Sequence, residues 1–189
     1  AAGSKDRHSK SINIIDATSL IGNMRLIKDE HEINLIRKAC DISAEAHIEA
    51  MKSVKDGDNE QQIESMYIHE FSKRGARFPA YNPIIAGGEN ACVLHYVENN
   101  QNLKSSDLLL VDAGCEYQMY AADITRTFPV SGKFSEEQLQ IYKIVLDAMN
   151  AAIDSVKEGN NIMQPQEISE KVITEGLVNI GLLKGDPEE

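Results

Sequence analysis

Residues 108–128 have the sequence LLLVDAGCEYQMYAADITRTF, and this stretch carries the strongest fold signal in the chain. Two runs rich in apolar and β-branched residues flank its centre, as is typical of strands. Each run carries one aspartate, Asp112 or Asp123. If the chain reverses at Tyr117 and Gln118, the two aspartates become cross-strand neighbours on one face of a hairpin. Their Cβ atoms would then lie about 4.5–5.5 Å apart.

Two carboxylates that face each other destabilise a sheet unless a shared proton or a cation lies between them. Oxygen ligands at this spacing suit a pair of divalent metal ions roughly 3.5–4 Å apart, with one carboxylate bridging both. The alternative is a longer turn, because Tyr-Gln is a poor pair for a two-residue hairpin turn. The aspartates would then lie out of register on a solvated rim. Spacing alone does not decide between the two.

Helical periods lie on both sides of the predicted strands. Asp58 with Gln61, and Ser135 with Gln138, each match a capping box at the start of a helix. The order is helix, helix, strands, helix, helix. The predicted helices span about 28–54, 58–74 and 135–156, with a fourth after Pro165, and the predicted strands, which we expect to be antiparallel, are 82–86, 92–97, 108–111 and 118–127. The third helix should bury a stripe of Leu139, Tyr142, Val145, Leu146, Met149, Ile153 and Val156.

A short repeat links the two predicted helix pairs. Residues 53–59, SVKDGDN, return as residues 155–161, SVKEGNN, and both copies lie where two helices join. Glycine is common at helix ends, so the match could reflect a shared way of ending a helix. Its placement favours duplication of a larger unit, which predicts that a second set of strands begins near residue 184.

Composition excludes several classes of partner. The 189 residues include 30 acidic and 19 basic side chains, and this net charge of −11 repels nucleic acid and anionic membrane surfaces. No apolar stretch approaches the roughly 20 residues that span a bilayer, so we expect a cytoplasmic protein. Cys40, Cys92 and Cys115 lack metal-like spacing and are expected to be free thiols. Residues 1–24 are expected to be a lead-in, from an N-terminal domain or an expression remnant.

Five motifs follow one another in order: RFPAYN at 77–82, GGEN at 87–90, LHY at 94–96, VDAG at 111–114 and DITRTFPV at 123–130. Together, over about residues 25–186, they resemble Xaa-Pro aminopeptidases, the aminopeptidase P family. The resemblance implies the α+β pita-bread fold, an antiparallel curved sheet backed by two helix pairs related by pseudo-two-fold symmetry. It also implies that residues 25–189 are the N-terminal part of that catalytic domain, without its second set of strands.

The resemblance further implies two metal ions, usually Mn²⁺, held by two Asp, one His and two Glu. Asp112 and Asp123 match the two Asp ligands, with Asp123 bridging the ions. His95 matches a histidine that helps to bind substrate and stabilise the transition state, and Tyr81 matches a tyrosine that supports the ligands by hydrogen bonding. Without the resemblance, His95 in its predicted strand would be interpreted as a core residue, and Tyr81 as a packing residue with a wetted hydroxyl.

The activity that the resemblance implies is hydrolysis of the bond between an N-terminal residue and a following proline, in peptides with proline at the second position. A full-length homo-oligomer is also expected. The His and both Glu ligands belong to motifs beyond Asp186. We therefore expect this chain alone to lack three of five ligands, to bind metal weakly or not at all, and to be inactive. Two alternatives remain: a prolidase, which cleaves only dipeptides, and a non-catalytic pita-bread protein that binds peptides or partners without metal.

Overall fold

This computed structural model describes residues 16–185, in which helices and short antiparallel strands are joined by turns and loops. The first fifteen residues of the predicted lead-in lie outside this range. None of the described helices is long and apolar enough to cross a membrane. In chain order the elements are α1 Thr18–Leu26, α2 Glu30–Ser53, α3 Glu60–Lys73, β1 Phe78–Pro79, β2 Ile84–Gly87, β3 Leu108–Asp112, β4 Cys115–Tyr117, β5 Tyr120–Ala121, β6 Thr125–Pro129, α4 Glu136–Ser155 and α5 Gln164–Asn179.

The four predicted helices are confirmed as α2, α3, α4 and α5, and α1 is additional. No residue of α1 is buried, which explains why its sequence carries no clear apolar period. The capping box of α3 is formed by Asn59 and Gln62, one residue later than predicted. The reason is that Asp58 accepts a hydrogen bond from the backbone N–H of Lys55, at 3.0 Å, and thereby closes the preceding turn.

The strands form two three-stranded antiparallel sheets, ordered β1-β4-β5 and β2-β3-β6. The prediction of antiparallel strands is therefore confirmed. The strand predicted at residues 92–97 is wrong, because a short 3-10 helix over Gly88–Cys92 leads into a loop there. Within this loop His95 has φ +55°, in the left-handed region that a strand cannot contain.

The hairpin turn lies one residue later than predicted. Gln118 and Met119 both have positive φ, 49° and 71°, and Tyr117 pairs with Tyr120. Positive φ at both central residues is what a two-residue type I′ turn requires. The shift leaves the polar Gln118 and the exposed Met119 at the tip, while Tyr117 packs against the core. As one consequence, Asp112 pairs with Thr125, so the cross-strand pairing of Asp112 with Asp123 that a turn at Tyr117 and Gln118 would give does not form.

The core lies between the α2–α3 pair and the strands. Both helices turn their apolar stripes towards the two sheets, and most of the buried apolar residues of these helices and strands form one cluster. The fully buried large side chains of the cluster include Tyr67, Phe71, Ile42, Ile85 and Leu109. This core supports the strand ends that carry the candidate site.

The α4–α5 pair is packed differently. The capping box at the start of α4 is confirmed, since Ser135 Oγ accepts from the N–H of Gln138 at 3.2 Å and the Gln138 side chain accepts from the N–H of Ser135 at 2.9 Å. The predicted buried stripe of α4 is wrong, because its members are exposed or only half-buried. The only buried residues of α4 are Ala148 and Ser155, and its main packing partner among residues 16–185 is α5.

Candidate functional site

Two chain segments cross closely at Gly114, just after the end of β3. A Cβ atom at Gly114 would lie 1.9 Å from the backbone carbonyl oxygen of Ala122, so only glycine permits this approach. The crossing is held by a hydrogen bond from the N–H of Ala122 to the carbonyl of Cys115, at 2.9 Å. The segment leading into β6 therefore runs beside the end of β3, and this brings Asp123 towards Asp112.

The hydroxyl of Tyr81 lies between the two aspartates. Its oxygen is 2.5 Å from Oδ1 of Asp112 and 3.2 Å from Oδ1 of Asp123. Burial first, and then the hydrogen bond to Asp112, raise the pKa of Tyr81 above its ordinary value, so the hydroxyl stays protonated and donates. The structure thus brings Tyr81, Asp112 and Asp123 together, although by way of a loop crossing rather than a cross-strand pair.

The chemistry of this group fits a divalent metal ion. Asp112 is half-buried and Asp123 is exposed, so their carboxylates lie at the surface of an open cleft. Carboxylate oxygens are the ligands that hard cations such as Mg²⁺ and Mn²⁺ prefer. Across the described part of the chain, however, no three or more His, Cys, Asp and Glu side chains group together to hold a metal ion. The two aspartates therefore fit as part of a metal site.

The cleft has a volume of about 370 Å³, and His95 lies on its wall together with Tyr81, Asp112 and Asp123. His95 is exposed, so its imidazole is accessible from solvent. This placement replaces the interpretation of His95 as a core residue of a strand. Ile84 and Val97 add apolar surface to the same cleft. A cleft with carboxylates, an imidazole and apolar walls can bind a polar group and an adjacent apolar group of one ligand.

A buried histidine supports β3 from behind, and the sequence reasoning missed this role. The imidazole of His47 places Nε2 3.2 Å from the carbonyl oxygen of Ala113 and Nδ1 2.9 Å from the hydroxyl of Tyr67. A carbonyl only accepts, so Nε2 donates to Ala113 and the hydroxyl of Tyr67 donates to Nδ1. Burial lowers the pKa of His47, which favours this neutral ring. The only signal in the sequence was a histidine within an apolar helical stripe.

Comparison with known proteins places these features in a family. The model of metallopeptidase family M24 matches residues 34–185. The Xaa-Pro aminopeptidase of Haemophilus influenzae is 50% identical over 173 residues, which are 92% of this chain and 40% of that relative. The Xaa-Pro aminopeptidase of Escherichia coli is 42% identical over 187 residues, 99% of this chain and 42% of that relative. The chain thus spans about two fifths of the length of these relatives.

Solved structures agree with this assignment. Proline aminopeptidase P II from Yersinia pestis is 48% identical with a TM-score of 0.89, over 92% of this chain and 40% of that one. A zinc-substituted Escherichia coli aminopeptidase P in complex with product is 44% identical with a TM-score of 0.90, over the same shares. The resemblance to aminopeptidase P and the α+β pita-bread fold, present in part, are confirmed. The chain belongs to metallopeptidase family M24.

Proposed function

We propose that the full-length protein is a metal-dependent Xaa-Pro aminopeptidase, which hydrolyses the bond between an N-terminal residue and a following proline. The observation that carries the proposal is the cleft in which the Tyr81 hydroxyl joins Asp112 and Asp123 and in which His95 forms part of the wall. Relatives that are named Xaa-Pro aminopeptidases support it. The substrates would be peptides with proline at the second position.

Asp112 and Asp123 would contribute the carboxylate ligands of two divalent metal ions, which we propose to be Mn²⁺. The bound metal would supply an activated water and would polarise the scissile carbonyl. The hydroxyl of Tyr81 donates hydrogen bonds to Asp112 and Asp123, and it would thereby fix the orientation of the two carboxylates. Loss of a residue that hydrogen-bonds to metal ligands in this way commonly lowers metal affinity or activity by about 10–100-fold.

His95 would act on the substrate rather than on the metal. Its imidazole is exposed on the cleft wall, where it can donate a hydrogen bond to a substrate oxygen. A donor aimed at charge that develops in the transition state lowers the barrier more than one that binds the ground state. Ile84 and Val97 add apolar surface to the same cleft, which an apolar part of the substrate could contact.

The test is a peptide assay on the full-length protein. After treatment with a chelator, Mn²⁺ is added back and release of the first amino acid is followed by mass spectrometry. Cleavage of Xaa-Pro-Xaa tripeptides that depends on the metal supports the proposal. Cleavage of Xaa-Pro dipeptides alone would identify a prolidase, and no cleavage of either would identify a non-catalytic protein. Adding Zn²⁺ or Co²⁺ in place of Mn²⁺ tests the choice of metal.

Residues 1–189 alone are expected to bind Mn²⁺ weakly and to show no turnover, because two carboxylates enforce neither ligand number nor geometry. Calorimetric titration of this segment measures the affinity, and the tripeptide assay measures activity. Binding of two ions at micromolar or tighter affinity would contradict this expectation. The cytoplasmic location and the homo-oligomeric state of the full-length protein stay predictions, which cell fractionation and light scattering test.

A further inference from the structure

Glu60, the first residue of α3, is a charged side chain with 0% exposure. Its carboxylate accepts four hydrogen bonds, all from residues 87–101. Oε1 accepts from the N–H of Gly87 at 2.9 Å and from Nδ2 of Asn90 at 3.0 Å. Oε2 accepts from the hydroxyl of Tyr96 at 2.7 Å and from the N–H of Gln101 at 3.0 Å. One buried carboxylate thus ties together four points of a single segment.

A buried carboxylate is costly unless hydrogen bonds replace the water that it loses. Here the four donors are neutral groups that hold both oxygens, and bonds to an ionised acceptor are stronger than bonds between neutral groups. The carboxylate cannot be exchanged for its amide without loss, because an amide nitrogen brings hydrogen atoms where a donor already points. The arrangement therefore requires a carboxylate at this position.

The start of a helix does not by itself require that carboxylate. In the repeat, residues 53–59 match residues 155–161, so Glu60 corresponds to Ile162. Ile162 is 91% exposed, and the second helix pair joins without a buried acid, although α5 begins only at Gln164 and has no side-chain cap. Because all four hydrogen-bond partners of the Glu60 carboxylate belong to residues 87–101, we assign its role to that segment.

This segment carries His95 to the cleft. The residues around His95 form no strand, and Leu94 on its N-terminal side is exposed. Tyr96 on its C-terminal side is buried, and its hydroxyl donates to Glu60 and accepts from Nδ2 of Asn90 at 3.1 Å. The anchor next to His95 is therefore the contact between Tyr96 and Glu60.

We propose that Glu60 is a positioning residue that holds residues 87–101 so that His95 faces Asp112 and Asp123. This inference rests on the proposed function, and it adds to that function a residue that touches neither substrate nor metal. The carboxylate sets the backbone path on both sides of His95. A catalytic imidazole that moves by about 1 Å can lose roughly 100-fold in rate, so the effect should be measurable.

The experiment is a double-mutant cycle in the full-length enzyme with Glu60→Gln and His95→Ala. Glu60→Gln alone should lower kcat roughly 10- to 100-fold, with KM and metal content close to the unaltered enzyme. In the His95→Ala background it should have no further effect on kcat, because the group that it positions is gone. The matched control is Glu49→Gln on the surface of α2, which should leave activity unchanged.

Unchanged kcat in Glu60→Gln, or a loss that multiplies fully with that of His95→Ala, would overturn the inference. If Glu60→Gln does not fold, as judged by thermal melting, Tyr96→Phe decides, because it removes only one of the four bonds. Its smaller loss of kcat should also vanish in the His95→Ala background, and an additive loss would overturn the inference. An unaltered enzyme without Xaa-Pro cleavage would overturn the proposed function, whereas an active one with additive losses overturns only the role of Glu60.

Discussion

The two copies of the repeat have similar sequences and the same local structure. Each ends a helix and turns through a glycine with positive φ, +84° at Gly57 and +87° at Gly159. The first copy joins α2 to α3, and the second joins α4 to α5. The predicted placement of both copies at the joint of a helix pair is therefore confirmed.

Their surroundings differ. The first joint is bonded to a distant part of the chain, since the N–H of Gly57 donates to the carbonyl of Leu103 at 2.9 Å and the N–H of Leu103 donates to the carbonyl of Asp58 at 2.8 Å. The second joint makes local bonds, such as that from Nδ2 of Asn160 to the carbonyl of Ser155 at 2.7 Å. A short sequence thus sets the turn, whereas distant residues decide whether the joint is hydrogen-bonded to the rest of the chain.

The largest expected effect comes from making the same Asp→Asn substitution in the cleft and on the surface of α4, in the second helix pair. In the full-length enzyme, Asp123→Asn should lower turnover by well over about 100-fold. Loss of a residue that only hydrogen-bonds to a metal ligand lowers metal affinity or activity about 10–100-fold, and loss of a ligand itself should lower turnover further. The metal content should fall as well, since the amide carries no charge. Asp154→Asn on the exposed face of α4 should change neither. Metal analysis and steady-state kinetics provide the measurements, and normal metal content in Asp123→Asn would argue against ligation.

The next largest effect comes from replacing a histidine by alanine in the cleft rather than on the surface of α3. His95→Ala should lower kcat about 100-fold or more, in the range found when a donor to the transition state is removed. Its metal content should stay close to normal, because the proposed role of His95 is towards the substrate. His69→Ala, at an exposed position of α3, is the matched control. If His95→Ala loses metal together with activity, His95 acts on the metal instead.

A third comparison replaces a glycine by alanine in each region, Gly114 beside the cleft and Gly176 in α5. A Cβ at Gly114 would lie 1.9 Å from a backbone oxygen of Ala122, whereas a Cβ at Gly176 of α5 would lie 2.6 Å from a side-chain atom of Ile144. Gly114→Ala should lower the free energy of unfolding by about 1–3 kcal/mol or more. Gly176→Ala should lose less stability, because its clash is with a side chain and the roughly 1 kcal/mol by which alanine favours a helix over glycine offsets part of the strain. Urea unfolding tests both variants, and equal losses would show that the crossing at Gly114 adapts.

The smallest effect is a dependence of stability on pH. Burial lowers the pKa of His47 in the folded protein below the value of about 6.5 in the unfolded chain. The unfolded chain therefore binds more protons between these two values, so the stabilisation is complete above about pH 6.5 and is lost as the pH falls towards the folded pKa. The slope is at most about 1.4 kcal/mol per pH unit. His47→Gln should flatten this slope in urea unfolding at pH 7 and pH 5, and the exposed His69→Gln should not.

Local patterns were sufficient for much of the molecule. The apolar period predicted four helices, and the capping box at Ser135 was placed correctly because its hydrogen bonds join residues three apart. The motifs around Asp112 and Asp123 identified the family, and the two aspartates and Tyr81 do lie together. Their roles as ligands and support stay predictions. These features follow from the sequence because each depends on near neighbours or on a specific string of residues.

The tertiary structure decided the features that depend on distant contacts. The hairpin shifted by one residue because Tyr117 packs into the core, and the predicted strand at 92–97 became a loop held by Glu60. His47 was visible only as one member of a stripe until the structure placed it against Ala113. The α4 stripe has the period of a buried face, yet its members are exposed or only half-buried. Periodicity states which face of a helix is apolar, whereas burial depends on which other part of the chain covers that face.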